Sequence, residues 1–167
     1  MAVPKAGRAD EAGAAATTAM PQREADLIAI MEDARKQLRT GHGASPAQDA
    51  RMSMQIHVMS YMRQSQAAQD WTGTVKTRGT TPEGDAWISI EIANGVTVST
   101  WQTEVEDLNA NSLFKPRSPL FAAAKSAKIG QPVTFSGIIL KSVLGKDEDM
   151  VQTPQFIARF SALKVGQ

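Results

Sequence analysis

Between Gln22 and Thr40 the apolar residues Leu27, Ile30, Met31, Ala34 and Leu38 fall at i, i+3, i+4, i+7 and i+11, the one-sided stripe of an amphipathic helix. Gly41 and Gly43 end that pattern. Ser45, Pro46 and Gln48 then supply an N-cap, a first helical position and a side chain that reaches back to the cap, which predicts a second helix to about Gln69. On it Met52, Ile56, Met59 and Met62 form a stripe at i, i+4, i+7 and i+10. The stripe is expected to pack on the rest of the domain, although methionine serves irregular cores and adaptable binding surfaces alike.

At Trp71 the period falls from 3.6 to 2. Segments 71–78, 86–92, 95–101, 132–140 and 155–163 are rich in β-branched and aromatic residues and read as five strands. Between the third and fourth, Ser118 and Pro119 open a short helix and Gly130 closes it. This β-β-β-α-β-β order over residues 71–164 resembles the OB-fold, a five-stranded Greek-key barrel whose helix sits between strands three and four. Its start, Trp71, Gly73 and Val75, is similar to a group of bacterial OB-like domains that open on Trp-x-Gly-x-Val. The expected fold is therefore mainly β with α: an OB-like Greek-key barrel over 71–164, preceded by two amphipathic helices over 22–69 that pack on it. A small antiparallel sandwich is the competing fold, and the lone central helix argues against it.

The turn at Ala93-Asn94-Gly95 sets the register of strands two and three. A two-residue loop would oppose Ile92 to Thr97 and Ile90 to Ser99, mixing buried with exposed positions. A three-residue loop with a left-handed Gly95 pairs Ile92 with Val96, Ile90 with Val98 and Ile88 with Thr100, so the apolar set points together into the barrel. On the opposite face Glu91 meets Thr97, Ser89 meets Ser99, and Trp87 is expected directly across from Trp101.

The OB resemblance implies that the faces of strands two and three engage ligands, and aromatic rings there stack on bases at roughly 1–3 kcal/mol each. Lys76 and Arg78 fall on the outward phase of strand one if Val75 points inward. Trp87, Trp101, Lys76, Arg78 and Arg159 are thus the candidate binding residues. Two features oppose a phosphate backbone on that surface. Glu104, Glu106 and Asp107 form an acidic loop immediately after Trp101, and the methionine stripe of the second helix is available to cover the tryptophans.

Composition narrows the chemistry. Eighteen Lys and Arg against 17 Asp and Glu leave a net charge of +1 over 167 residues, so no strong overall field draws the chain to a polyanion. The absence of cysteine excludes disulfides, thiolate nucleophiles and cysteine-ligated metals. His42 and His57 have no metal-ligand spacing, and Asp147-Glu148-Asp149, read as a solvated loop tip, lacks the spaced ligands and glycine of a calcium loop. No phosphate loop or nucleophile elbow is present. The expectation is a non-enzymatic binding module, without cofactor or metal, acting as a protein-interaction or assembly component. Its partner would be another protein or a second copy; the alternative is single-stranded nucleic acid bound on strands two and three. Residues 1–21 are rich in Ala, Gly and Thr, and Arg8, Asp10 and Glu11 interrupt the only stretch a signal peptide would need. They are expected to be a disordered leader of a cytoplasmic protein that does not enter a membrane.

Overall fold

In the computed structural model, which describes residues 19–166, two helices lead into a barrel. The expected leader over 1–21 lies almost wholly outside the described residues. Helix α1 (Gln22–Thr40) buries Leu27, Met31 and Ala34. Helix α2 (Pro46–Gln64) carries proline at its start, as the sequence predicts, and ends well before Gln69 because strand β1 (Ala67–Thr80) begins sooner. The remaining elements are β2 (Ala86–Ala93), β3 (Val96–Ser99), α3 (Glu104–Asp107), α4 (Phe121–Ser126), β4 (Pro132–Ser142), α5 (Asp147–Gln152) and β5 (Gln155–Val165). Helix α4 is shorter than predicted. Ser118 lies in a preceding turn, where its carbonyl accepts from the Phe121 nitrogen at 3.1 Å and its hydroxyl from the Leu120 nitrogen at 3.3 Å. Asp147-Glu148-Asp149, expected as a loop tip, is the first turn of α5, where the exposed N–H groups favour acidic side chains.

The strands close into a five-stranded barrel in the order β1-β2-β3-β5-β4, with β1 pairing β4 to complete the ring. The β3–β5 pair is parallel and the others are antiparallel. The chain is mainly β with α, and its closed barrel is compatible with the OB-like order. Trp71, Val75, Ile88, Ile90, Val98, Phe135, Ile139 and Phe156 are all buried to 1% exposure or less, as apolar strands closing around one core require. Phe135 anchors an edge-to-face array, with ring centroids 6.1 Å from Trp71 and 5.3 Å from Phe160. Such pairs add about 0.5–1.5 kcal/mol each beyond area burial.

The hairpin keeps the apolar register expected of it: Ile90 opposes Val98, Glu91 opposes Thr97 and Ser89 opposes Ser99. It gets there differently. Asn94 and Gly95 form a two-residue turn with Gly95 at φ +72°, Ala93 opposes Val96, and the register shifts between Glu91 and Ala93. The extra residue at this bulge restores the phase that a plain two-residue loop would lose.

Helices α1 and α2 pack on each other and on α5, the insertion between β4 and β5. Arg35 of α1 donates from Nε to the Val151 carbonyl at 3.3 Å and from Nη2 to the Gln152 carbonyl at 2.7 Å, satisfying acceptors at the α5 C-terminus. Arg51 of α2 approaches Asp147 at 2.5 Å. Within the helix pair, the Tyr61 hydroxyl donates to the Arg23 carbonyl at 2.7 Å, and the Arg23 guanidinium lies 3.7 Å from the Tyr61 ring centre. Leu27, Met31, Met54, Val58 and Tyr61 belong to the same buried cluster as the barrel interior.

The face of α2 that enters this core is not the predicted one. Ala50, Met54, Val58 and Tyr61 are buried, whereas Met52, Ile56 and Met59 are 49, 65 and 55% exposed. Both sides of α2 carry apolar residues at helical spacing. The inward side is the one whose small Ala50 and hydroxyl-bearing Tyr61 suit the close contact with α1 and the Arg23 carbonyl.

Candidate interaction surface

Met52, Ile56 and Met59 stand on the outer side of α2, opposite its buried stripe. At the edge of this strip, Val58, Met59 and Met62 face Leu140 of β4 across a groove of about 320 Å³, with Arg63, Gln66, Lys141 and Ser142 completing its walls. A second cleft of about 290 Å³ adjoins it, sharing Leu140 and Lys141 and adding Trp101, Glu106, Asn109 and Ala110. The apolar surface of α2 therefore runs through Leu140 toward Trp101.

The structure divides the sequence-derived binding residues into two groups. Trp101 and Arg159 share the α3 side of the barrel: Arg159 donates from Nε and Nη2 to the Ala110 carbonyl at 3.0 and 2.6 Å, and Ala110 lines the Trp101 cleft. Trp101 is half-buried, its backbone nitrogen donates to Ser112 Oγ at 2.9 Å, and Lys141 Nζ lies 5.7 Å from its ring centre. Trp87, Lys76 and Arg78 lie instead along β1 and β2. Trp87 is half-buried over Gly79, where an added Cβ would meet ring carbon Cζ2 at 2.6 Å.

Trp87 and Trp101 do not form the expected cross-strand pair. Strand β3 ends at Ser99, its register with β2 stops at Ser89 and so leaves Trp87 without a β3 partner, and among the described residues neither indole enters an aromatic ring pair. The ladder stops because Thr100 turns its hydroxyl onto the Ile88 backbone and Trp101 is drawn to Ser112. The basic residues are rearranged too. Lys76 pairs with Glu91 at 3.9 Å, and Arg78, although a register shift between Val75 and Thr77 sets it opposite Ile88, is exposed as expected. One inserted residue at this bulge changes which β2 residue each later β1 residue opposes.

The acidic loop after Trp101 is largely consumed by structure. Glu104 accepts from Thr81 Oγ1 at 3.0 Å and from Lys115 Nζ at 3.2 Å. Asp107 is buried and accepts from the Ser112 nitrogen and hydroxyl, both at 2.6 Å, and from the Leu113 nitrogen at 3.2 Å. Glu106 bonds the N-cap Thr103 and is the one acid of the three that lines the Trp101 cleft.

Among the described residues no group of three His, Asp or Glu side chains is placed to hold a metal ion. Among the described residues the strongly raised acid is Glu24, whose burial raises it to about 7 against the lowering effect of the Thr72 N–H bond. It sits between α1 and β1, away from the groove. No described helix is long and apolar enough to cross a membrane. No protein-family model, curated protein or solved structure matches this chain.

Leu140 and Lys141 are absent from the sequence-derived set. Their signal was the unbroken apolar run Ile138-Ile139-Leu140, in which β4 is apolar on both alternating faces. Ile139 fills the barrel, while Ile138 is 43% exposed and Leu140 is half-buried beside α2.

Proposed function

We propose that this chain is a non-enzymatic, OB-like binding module that works as a protein-interaction or assembly component through the outer face of α2 and the adjoining α2–β4 groove. The observation that carries this is the exposure of Met52, Ile56 and Met59 on a helix whose opposite face already satisfies the core. Large apolar side chains gathered on one exposed helix face lower solubility unless a partner covers them, and methionine adapts its shape to such a partner. The division of Trp87, Lys76 and Arg78 from Trp101 and Arg159, with Arg159 bonded to the Ala110 carbonyl and Lys76 in a surface ion pair with Glu91, weighs against single-stranded nucleic acid.

Site-specific photo-cross-linking tests this in the cells that make the protein. A photoreactive residue at Ile56 gives adducts of discrete protein mass, and the same residue at the exposed Ala122 of α4 does not. In parallel, intrinsic tryptophan emission stays constant when a mixed-sequence oligonucleotide is added at low salt. Absence of any adduct at Ile56, or salt-sensitive quenching by the oligonucleotide, overturns the proposal in favour of nucleic acid or another ligand.

A further inference from the structure

The outer face of α2 reads Asp49, Met52, Ile56, Met59, Arg63, at intervals of three, four, three and four. That is the a/d spacing of a helix–helix seam, and all five side chains are exposed. The seam has an acid at one end, a base at the other and three apolar residues between them. Asp49 and Arg63 enter no ion pair within the chain among the described residues, although other charged side chains on its surface do.

We infer that the occupant of this face is a second copy of the chain, bound through an antiparallel α2–α2′ pair about a two-fold axis at Ile56. The inference rests on the protein-interaction reading and names its partner. Asp49 and Arg63 each lie seven positions from Ile56, so an antiparallel pair brings Asp49 of each protomer opposite Arg63 of the other, twice by symmetry. Met52 and Met59 lie four and three positions from the axis and interdigitate on either side of the two Ile56 side chains. A parallel pair would instead set Asp49 against Asp49 and Arg63 against Arg63, so the charges select orientation as well as partner. The opposed helix dipoles favour the same arrangement.

The 167-residue chain supplies a clean test because it contains no cysteine. Ile56→Cys introduces a single thiol on the axis, and mild oxidation converts the protein to a disulfide-linked dimer, while Ala122→Cys forms no such cross-link. Sedimentation equilibrium of the unmodified protein gives twice the chain mass. Asp49→Arg or Arg63→Asp alone weakens association about tenfold or more, and the double reversal restores it to within about threefold. Far-UV circular dichroism and thermal melting confirm that these exposed substitutions leave the fold intact. A monomer at every concentration, equal cross-linking at both cysteines, or failure of the double reversal to restore association overturns the inference. A monomer that still gives photo-adducts at Ile56 with a different protein refutes self-pairing alone; no adduct of either kind refutes the interaction reading as well.

Discussion

Both carboxylate oxygens of Glu24 lie 3.1 Å from the backbone nitrogen of Thr72, so a fully buried acid in the first turn of α1 closes directly onto β1. One donor faces two acceptor oxygens. Burial disfavours the ionised form more than this single hydrogen bond favours it, and the group is raised from 4.5 to about 7.

A raised carboxyl makes stability fall as pH rises. The folded protein holds the Glu24 proton more tightly than the unfolded chain, so its contribution is complete below about pH 4.5 and is lost as pH rises to about 7. This amounts to about 3 kcal/mol across the window. Glu24→Gln keeps a carbonyl acceptor for Thr72 and removes the ionisation, so the mutant loses this slope. Urea unfolding at pH 5 and pH 8 measures it; the same slope in both proteins would assign the pH dependence to other groups.

Gly79→Ala displaces Trp87. The added Cβ would sit 2.6 Å from Cζ2 and 2.7 Å from Cε2 of the indole, well inside contact distance. The ring moves outward, emission shifts to the red, and stability falls by about 1–3 kcal/mol through overpacking. An unchanged emission maximum would mean that Trp87 does not rest on Gly79.

Gly95→Ala loosens the joint between the β2–β3 turn and the helical layer. Gly95 has φ +72°, and an added Cβ would lie 2.9 Å from the Gln152 carbonyl oxygen and 3.0 Å from Arg35 Nη2. Backbone strain of about 1 kcal/mol adds to the disturbance of the Arg35–Gln152 hydrogen bond. The expected result is a lower denaturation midpoint with faster hydrogen exchange in α5. Unchanged exchange there would show that the turn and α5 are not coupled.

Lys115→Ala leaves a buried acid without its cation. Lys115 Nζ bridges Asp85 at 2.5 Å and Glu104 at 3.2 Å, linking the β1–β2 connection to α3; Asp85 is buried, while Lys115 is largely exposed. The loss is about 1–2 kcal/mol, the lysine's exposure keeping it below that of a fully buried pair. Thermal melting checks this, and a variant at least as stable as the parent would show the bridge to be energetically idle.

The five strands were legible because alternation of apolar and polar residues is a local property. In β2 and β3, Ile88, Ile90, Val98 and their polar neighbours leave one register that gathers the apolar residues on a single face. Bulges were not legible. The shift between Val75 and Thr77 inserts a residue that no turn motif marks, and it sets Arg78 opposite Ile88 and Gly79 opposite Trp87. The candidate surface was half visible: Met52, Ile56, Met59 and Met62 stood out as a stripe, but their partners Leu140 and Lys141 come from a strand far along the chain.

The amino-acid pattern by itself determined a helical pair followed by a five-stranded, mainly β unit, and it determined the absence of cysteine chemistry. Only tertiary structure decided which side of α2 faces inward. Both sides are apolar at helical spacing, and periodicity carries no information about what lies opposite. Packing of Ala50, Met54, Val58 and Tyr61 against α1, α5 and the barrel settled it. Burial there depends on neighbours that are distant in the chain, and it leaves Met52, Ile56 and Met59 facing outward.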